Sequence, residues 1–145
     1  MEEKSLREEL RGLGLRATPS RVAVLRLLRA AARPLSHAEV VESLSESGYN
    51  QSTLYRNLND LVSHGLARRT EIGDRVWRFE LIDGAHPSRE HPHFVCTLCG
   101  TVQCLLDAQL TLQGAVATGP RALQSQHLEL QVRGLCDNCE ESKRN

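Results

Sequence analysis

His91-Pro92-His93-Phe94-Val95-Cys96-Thr97-Leu98-Cys99-Gly100-Thr101-Val102-Gln103-Cys104 holds two histidines and three of the chain's five cysteines. Cys96 and Cys99 stand two residues apart with Gly100 directly after, a spacing that lets a tight turn present two thiolates to one tetrahedral zinc. Cys136 and Cys139 repeat the spacing near the C-terminus. Ligand type, spacing and count agree on a four-cysteine structural zinc site. A set of buried, metal-free cysteines is the competing reading, and it leaves the repeated spacing without a reason.

At 145 residues the chain has room for one domain or two small ones, and a small second domain needs a staple such as zinc. Its aromatic residues are Trp77, Tyr49, Tyr55, Phe79 and Phe94, so the core is built mostly of Leu and Val. No apolar run approaches a membrane span, and Met1 to Leu10 is charged where a signal peptide would be apolar. These features predict a cytoplasmic protein, a compartment in which paired cysteines serve as metal ligands more often than as disulfides.

Net charge is zero, which alone argues against a nucleic-acid partner. The distribution argues the other way. Arg11, Arg16, Arg21, Arg26, Arg29, Arg33, Arg56, Arg68 and Arg69 face only Glu39, Glu42, Glu46 and Asp60 between residues 11 and 69, an excess of five positive charges. A basic face of this kind is the footprint of a phosphate-backbone binder, and arginine suits bidentate contacts to phosphate or guanine. An ordinary solvated helix surface is the alternative.

Leu6, Leu10 and Leu13 recur at helical intervals from Glu2 to Arg11, before Gly12 and Gly14. Thr18-Pro19 then supplies an N-cap and a proline at the first helical position, and Val22, Leu25, Leu27 and Leu28 give an apolar stripe up to Ala32, closed by Pro34. Ser36-His37-Ala38-Glu39 is a capping box for a helix that buries Val40, Val41 and Leu44 and stops near Gly48. A third helix is predicted over Thr53 to Val62 with Ser52 as its cap, Leu54, Leu58 and Leu61 on its core side and Gly65 after it. Helix, short connection, then a helix opening on Ser52, Thr53, Tyr55 and Arg56 is a helix-turn-helix pattern.

After that helix the period changes to two. Leu66 to Thr70 and Arg75 to Leu81 read as strands joined through Gly73-Asp74, a hairpin that makes the unit a winged helix, with Arg68, Arg69 or Arg75 able to meet the DNA backbone. RNA or an acidic protein could meet the same basic helices, but the wing favours duplex DNA. Ile82 to Glu90 lacks periodicity, which divides the chain into a DNA-binding domain over 1–83, a loop over 84–90 and a second domain over 91–145. In the latter, Phe94-Val95 and Val102 to Leu106 suit a strand pair, Asp107 to Ala117 a helix, and His127 to Arg133 a strand. The fold class is therefore α+β: an N-terminal winged helix-turn-helix domain and a small α/β dimerisation domain with a four-cysteine zinc site. A second copy covering the exposed strand edges would give a homodimer that reads two half-sites of a palindromic operator.

Ala17-Thr18-Pro19-Ser20-Arg21, Ser52-Thr53-Leu54-Tyr55-Arg56-Asn57-Leu58, Arg78-Phe79-Glu80-Leu81, His91 to Gly100 and Gly134-Leu135-Cys136-Asp137-Asn138-Cys139 resemble, in order and at similar spacing, the successive signatures of the ferric uptake regulator superfamily. The resemblance implies a dimeric, metal-responsive transcriptional repressor and not an enzyme, with a winged helix, a C-terminal dimerisation domain, a structural zinc and a separate regulatory metal site between the domains. On this basis the candidate DNA contacts are Arg16, Arg21, Ser52, Thr53, Tyr55, Arg56, Asn57 and Arg75.

A regulatory site also follows from the residues. Pro92 holds its segment extended, so the imidazoles of His91 and His93 project to the same side. If Val95 pairs with Val102, His93 sits opposite Cys104, which brings a thiolate beside two imidazoles. Glu80 matches the family's carboxylate ligand and would complete the set. A tetrahedral N2SO donor set suits zinc better than manganese or magnesium, so zinc is the favoured regulatory ion over Fe2+ or Mn2+, and metal homeostasis the controlled process. With Cys104 as a mere core residue, iron or peroxide sensing regains ground. The chain departs from the family pattern in places: Pro34 stands where many members have a histidine ligand two residues before the capping Ser or Thr, His37 lies one helical turn on and could substitute, and Cys104 replaces a common acidic residue. His86, Glu90 and His127 are further candidates for a third metal site.

Two other classes compete. A zinc hydrolase or deaminase sets a glutamate in a compact motif beside its ligands, which is missing here. A structural zinc-ribbon interaction module explains the four cysteines but leaves the capped helices, the basic face and the His91/His93 pair unused. No organic cofactor and no membrane partner are expected.

Overall fold

A computed structural model describes residues 2–31, 33–82, 91–106, 108, 111, 119–121 and 130–144. The chain forms two compact units, Met1–Ser88 and Arg89–Asn145.

In the first unit, α1 (Glu2–Gly12) carries Glu2 and Glu3 in its first turn and Arg11 in its last, each placed to suit the helix dipole. Leu6 and Leu10 are fully buried. Leu13, expected as the third core leucine, is 41% exposed. Gly14 turns the chain at φ 79, and Leu15 takes the buried place instead, its N–H reaching back to the Leu10 carbonyl at 2.9 Å. Helix α2 (Pro19–Ala30) starts as expected: the Thr18 hydroxyl accepts from the Arg21 amide at 3.3 Å, and Pro19 fills the first position. Val22, Val24, Leu25 and Leu28 are buried, with Leu27 half-buried.

A two-residue strand, β1 (Leu35–Ser36), leads into α3 (His37–Ser43). The capping box is complete: Glu39 N–H donates to Ser36 Oγ at 3.2 Å, and Ser36 N–H donates to the Glu39 carboxylate at 2.7 Å. This helix ends sooner than the pattern suggested, passing through a single 3₁₀ turn (Ser45–Ser47) to a left-handed Gly48. Its partner α4 (Gln51–Ser63) is capped by Asn50, whose Oδ1 accepts from Ser52 N–H at 2.8 Å. Ser52 is therefore inside the first turn and is not the cap. Leu54, Leu58 and Leu61 enter the core as predicted.

Gly65, at φ 74, then swings the chain into β2 (Ala67–Thr70), which pairs antiparallel with β3 (Arg78–Leu81). The latter starts three residues after the expected Arg75, because the turn is held together by its own acids. Glu71 accepts from the amides of Gly73 and Arg75, both at 2.7 Å, while Asp74 accepts from Val76 N–H and grips Arg78 at 2.8 Å. Strand β1 pairs along the other edge of β3, giving the sheet order β1-β3-β2 and a three-stranded wing base. Phe79, at the centre of that sheet, packs into the leucine core.

The second unit is a sheet of order β5-β4-β6: β4 (His93–Cys96) pairs antiparallel with β5 (Val102–Cys104) and parallel with β6 (Gln131–Gly134). The register Val95↔Val102 and His93↔Cys104 is the expected one. Gly134 lies against the Phe94 ring, where a Cβ would come within 3.3 Å of it. A short polar helix, α5 (Asp137–Arg144), with Asp137 and Glu140 in its first turn, carries Cys139 and was not foreseen. Nearly all of the helix predicted over 107–117 and the start of the strand predicted from His127 lie outside the described residues, as do His86 and Glu90.

Although partial burial alone would raise the Glu39 pKa, the amide and hydroxyl of Ser36 and the Arg33 guanidinium hold it below its ordinary 4.5. A carboxylate whose folded-state pKa is lowered stabilises the fold above its unfolded value and loses that contribution as pH falls through the lowered one. Ser36→Ala is expected to cost about 1 kcal/mol at neutral pH, measured by denaturant melts, and the penalty should shrink as pH falls below the ordinary carboxylate range and Glu39 protonates.

Candidate metal centres and DNA-facing surface

The sulfurs of Cys96, Cys99, Cys136 and Cys139 lie within 4.8 Å of one another, and those of Cys99 and Cys136 are 3.7 Å apart. Two local turns and one strand pairing produce this. In the first knuckle Gly100 N–H closes onto the Cys96 carbonyl at 3.0 Å; in the second, the amides of Cys139 and Glu140 close onto the Cys136 carbonyl at 3.0 and 2.9 Å. The parallel ladder sets Gly134 beside Cys96, so Cys136 arrives next to the first knuckle two residues later. Its amide donates to Cys96 Sγ at 3.4 Å.

These amides change the sulfur chemistry. Backbone N–H groups of Cys99 and Cys136 bring the Cys96 thiol down to about 6, and Thr101, 3.2 Å from Cys99 Sγ, lowers Cys99. Cys139 is pushed up to about 12 because its thiol hydrogen-bonds to the sulfurs of Cys136 and Cys99, bonds that ionisation would break, with burial and the charge of Cys136 adding less, so four thiolates together are in conflict. A dication relieves that conflict, so the donor set fits structural zinc.

At the start of β4, His93 and His91 just before it bring their ring centroids to 4.6 Å, both residues buried. Their ligand nitrogens and Cys104 Sγ come within 4.8 Å of one another. The expected convergence of two imidazoles and a thiolate is present in this hairpin, and its donor set fits a borderline ion. Glu80, on β3 of the first unit, is buried, and Arg68 Nε donates to its Oε1 at 2.6 Å across the β2–β3 ladder. Sequence pattern offered no sign of that pair beyond two opposite charges on facing strands.

His37, a candidate ligand by sequence, touches α4. Its Nε2 is 3.0 Å from the Gln51 carbonyl, to which it donates, and its ring meets Tyr55 edge-on at 5.3 Å. Among the described residues it belongs to no cluster of three or more possible ligands.

The DNA candidates separate into two sets. Ser52, Tyr55 and Arg56 are exposed on the first two turns of α4, with Thr53 half-buried; Arg16 and Arg75 are exposed, Arg75 at a left-handed φ of 60. Two others face inward. Asn57 is only 4% exposed and donates through Nδ2 to Ser20 Oγ at 3.0 Å, since its position one turn from Leu54 and Leu61 carries it to the core side. Arg21 is ion-paired with Asp60 and donates to the Arg16 carbonyl at 2.7 Å. The basic face is correspondingly smaller than the count of arginines implied: Arg29 pairs with Glu9, Arg33 with Glu39 and Arg68 with Glu80. Arg69 lies over the exposed Trp77 ring at 4.5 Å.

Among the described residues no helix is long and apolar enough to cross a membrane. Residues 12–133 match the model of the ferric uptake regulator family. The ferric uptake regulation protein of Legionella pneumophila is 32% identical over 137 residues, covering 92% of this chain and 97% of that protein. A peroxide-responsive repressor from Staphylococcus saprophyticus is 28% identical over 134 residues, covering 91% and 87%. The solved Vibrio cholerae ferric uptake regulator shares the fold with a TM-score of 0.65 at 23% identity, covering 90% of this chain and 98% of that one. A family model matching residues 12–133 and a 32% identical relative matched over 92% of the chain make this chain a member of the ferric uptake regulator family, whose proteins are metal-dependent transcriptional regulators that bind operator DNA as dimers.

Proposed function

We propose that this family member senses zinc and represses metal-homeostasis genes in the cytoplasm. In this reading residues 1–83 bind a palindromic operator, 84–90 connect, and 91–145 form the dimer and hold the ions. The observation that carries the choice of zinc is Cys104, which faces His93 across the β4–β5 ladder and offers a thiolate within reach of both imidazoles. Glu80 is the fourth donor in this reading: a buried carboxylate on a wing strand, at the family's ligand position. Together they form an N2SO set suited to zinc. A dication bound by all four would tie the wing strand to the hairpin and shift the population toward the arrangement it binds more tightly.

The residues divide the remaining work. His91, His93 and Cys104 are presented by one hairpin, so they need little reorganisation to bind. Arg68 neutralises the Glu80 carboxylate from within the wing. On the DNA side Ser52, Thr53, Tyr55 and Arg56 read the operator from α4, Arg16 and Arg75 meet phosphates, and Arg21 and Asn57 brace α2 against α4 from behind. Iron or peroxide sensing is the second reading, favoured by the names of the two relatives and requiring Cys104 to act only as a packing residue.

Three measurements test these assignments. The neighbouring sulfurs hold the proton on Cys139, and thiols must ionise to bind a metal, so zinc uptake by the four-sulfur site is expected to release protons. Calorimetric enthalpies should then vary with buffer ionisation heat, and a strong chelator should unfold the C-terminal unit by circular dichroism; a buffer-independent enthalpy contradicts the sulfur assignment. His91→Ala and His93→Ala should keep the fold yet lose metal-dependent operator binding in a gel shift, and an unaltered metal response in both would remove them from the site. Cys104→Ser should lower zinc affinity by upwards of roughly tenfold, a loss typical of disturbing even a ligand's supporting partner, with little change for manganese. Unchanged zinc affinity would hand the case to the second reading.

A further inference from the structure

We infer that His37 is a positioning residue for operator recognition: it fixes the first turn of α4 and holds the Tyr55 ring ready for DNA. The inference rests on the reading of α4 as the helix that meets DNA. Two contacts from one imidazole carry it. Nε2–H donates to the carbonyl of Gln51, the first residue of α4, at 3.0 Å. The same ring meets Tyr55, one turn further along, at a centroid distance of 5.3 Å and an interplanar angle of 67°, the edge-on geometry that aromatic quadrupoles prefer.

His37 is itself held. It is the first residue of α3, directly after the capping residue Ser36, whose hydroxyl and amide are both bonded to Glu39. The backbone that carries the imidazole is thus fixed before the imidazole fixes anything else. Tyr55 is 43% exposed, and without a neighbour its ring would sample several rotamers. Ordering it before DNA arrives removes part of the entropy loss on association. His37 acts through Tyr55 and Gln51 and need not touch DNA.

The test uses the zinc-loaded full-length protein and a duplex enriched by the wild type from a random-sequence pool, with a scrambled duplex beside it, read by fluorescence anisotropy across a salt series. One hydrogen bond and one aromatic pair predict that His37→Ala weakens the selected duplex about five- to tenfold. Binding to the scrambled duplex and the salt slope should not move, because phosphate contacts are untouched. His37→Gln, whose amide can still reach the Gln51 carbonyl but which lacks a ring, should fall between wild type and His37→Ala, and it carries the test if the alanine variant melts early. The His37→Ala/Tyr55→Ala double variant should bind only slightly more weakly than Tyr55→Ala alone, by the part that the Gln51 bond carries, and well short of the sum of the two single losses. Wild-type affinity in both His37 variants alongside a weakened Tyr55→Ala overturns the inference, as does full additivity in the double variant or an equal loss on scrambled DNA. If Tyr55→Ala itself binds the selected duplex normally, the assignment of α4 as the reading helix fails, and the inference with it.

Discussion

The pleat of one four-residue strand decides which candidate ligands can meet in this protein. Side chains alternate across β4, so His93 and Cys96, three residues apart, stand on opposite faces. The antiparallel neighbour places Cys104 against His93, and the parallel neighbour places Gly134 beside Cys96 with Cys136 soon after. Hydrogen bonds at the strand ends fix the register: Leu105 N–H to Pro92 O at 2.9 Å, Cys96 N–H to Thr101 O at 2.9 Å and Thr97 N–H to Gly134 O at 2.8 Å. A slip by one residue would exchange the faces and dissolve both ligand groups at once. The histidine-bearing group and the sulfur group therefore share a scaffold without sharing a coordination sphere.

Charge is allocated with similar economy in the first unit. The arginine-rich segment looks strongly basic when read along the chain, but several guanidiniums are committed to carboxylates that lie elsewhere: Glu9 on α1, Asp60 on α4 and Glu80 on β3. These pairs join one element to another, and they reduce the surface field to fewer groups, Arg16 and Arg56 among the exposed ones. Long-range attraction to DNA then depends on where those few lie more than on the total.

Much of this architecture was legible in the residues. The two Cys-x-x-Cys turns, the Thr18 and Ser36 caps, the leucine faces of α2 and α4 and the Val95–Val102 register follow from local spacing, and local spacing is what sequence encodes most directly. What escaped notice was non-local or too short to leave a pattern. Two residues of β1 pair with a strand more than forty residues away, and the parallel pairing of β4 with β6 joins segments nearly as remote. Helix α5 is polar throughout and offers no apolar stripe. At α4, two plausible caps stand two residues apart, and only the backbone geometry at Asn50 decides between them. The inward turn of Asn57 was hidden for a different reason: an amide in a polar-looking motif is easily taken for a surface group until its partner Ser20 is seen.

That buried amide has a broader consequence. Asn57 welds α4 to α2 through Ser20, two residues along the helix from the exposed Tyr55. The helix thereby separates its anchorage from its display: one side is committed to the interior, the other carries side chains whose replacement would leave the interior undisturbed. Such a division suits diversification, since new target sequences can be acquired by exchanging the outward residues while the inner weld keeps the helix seated.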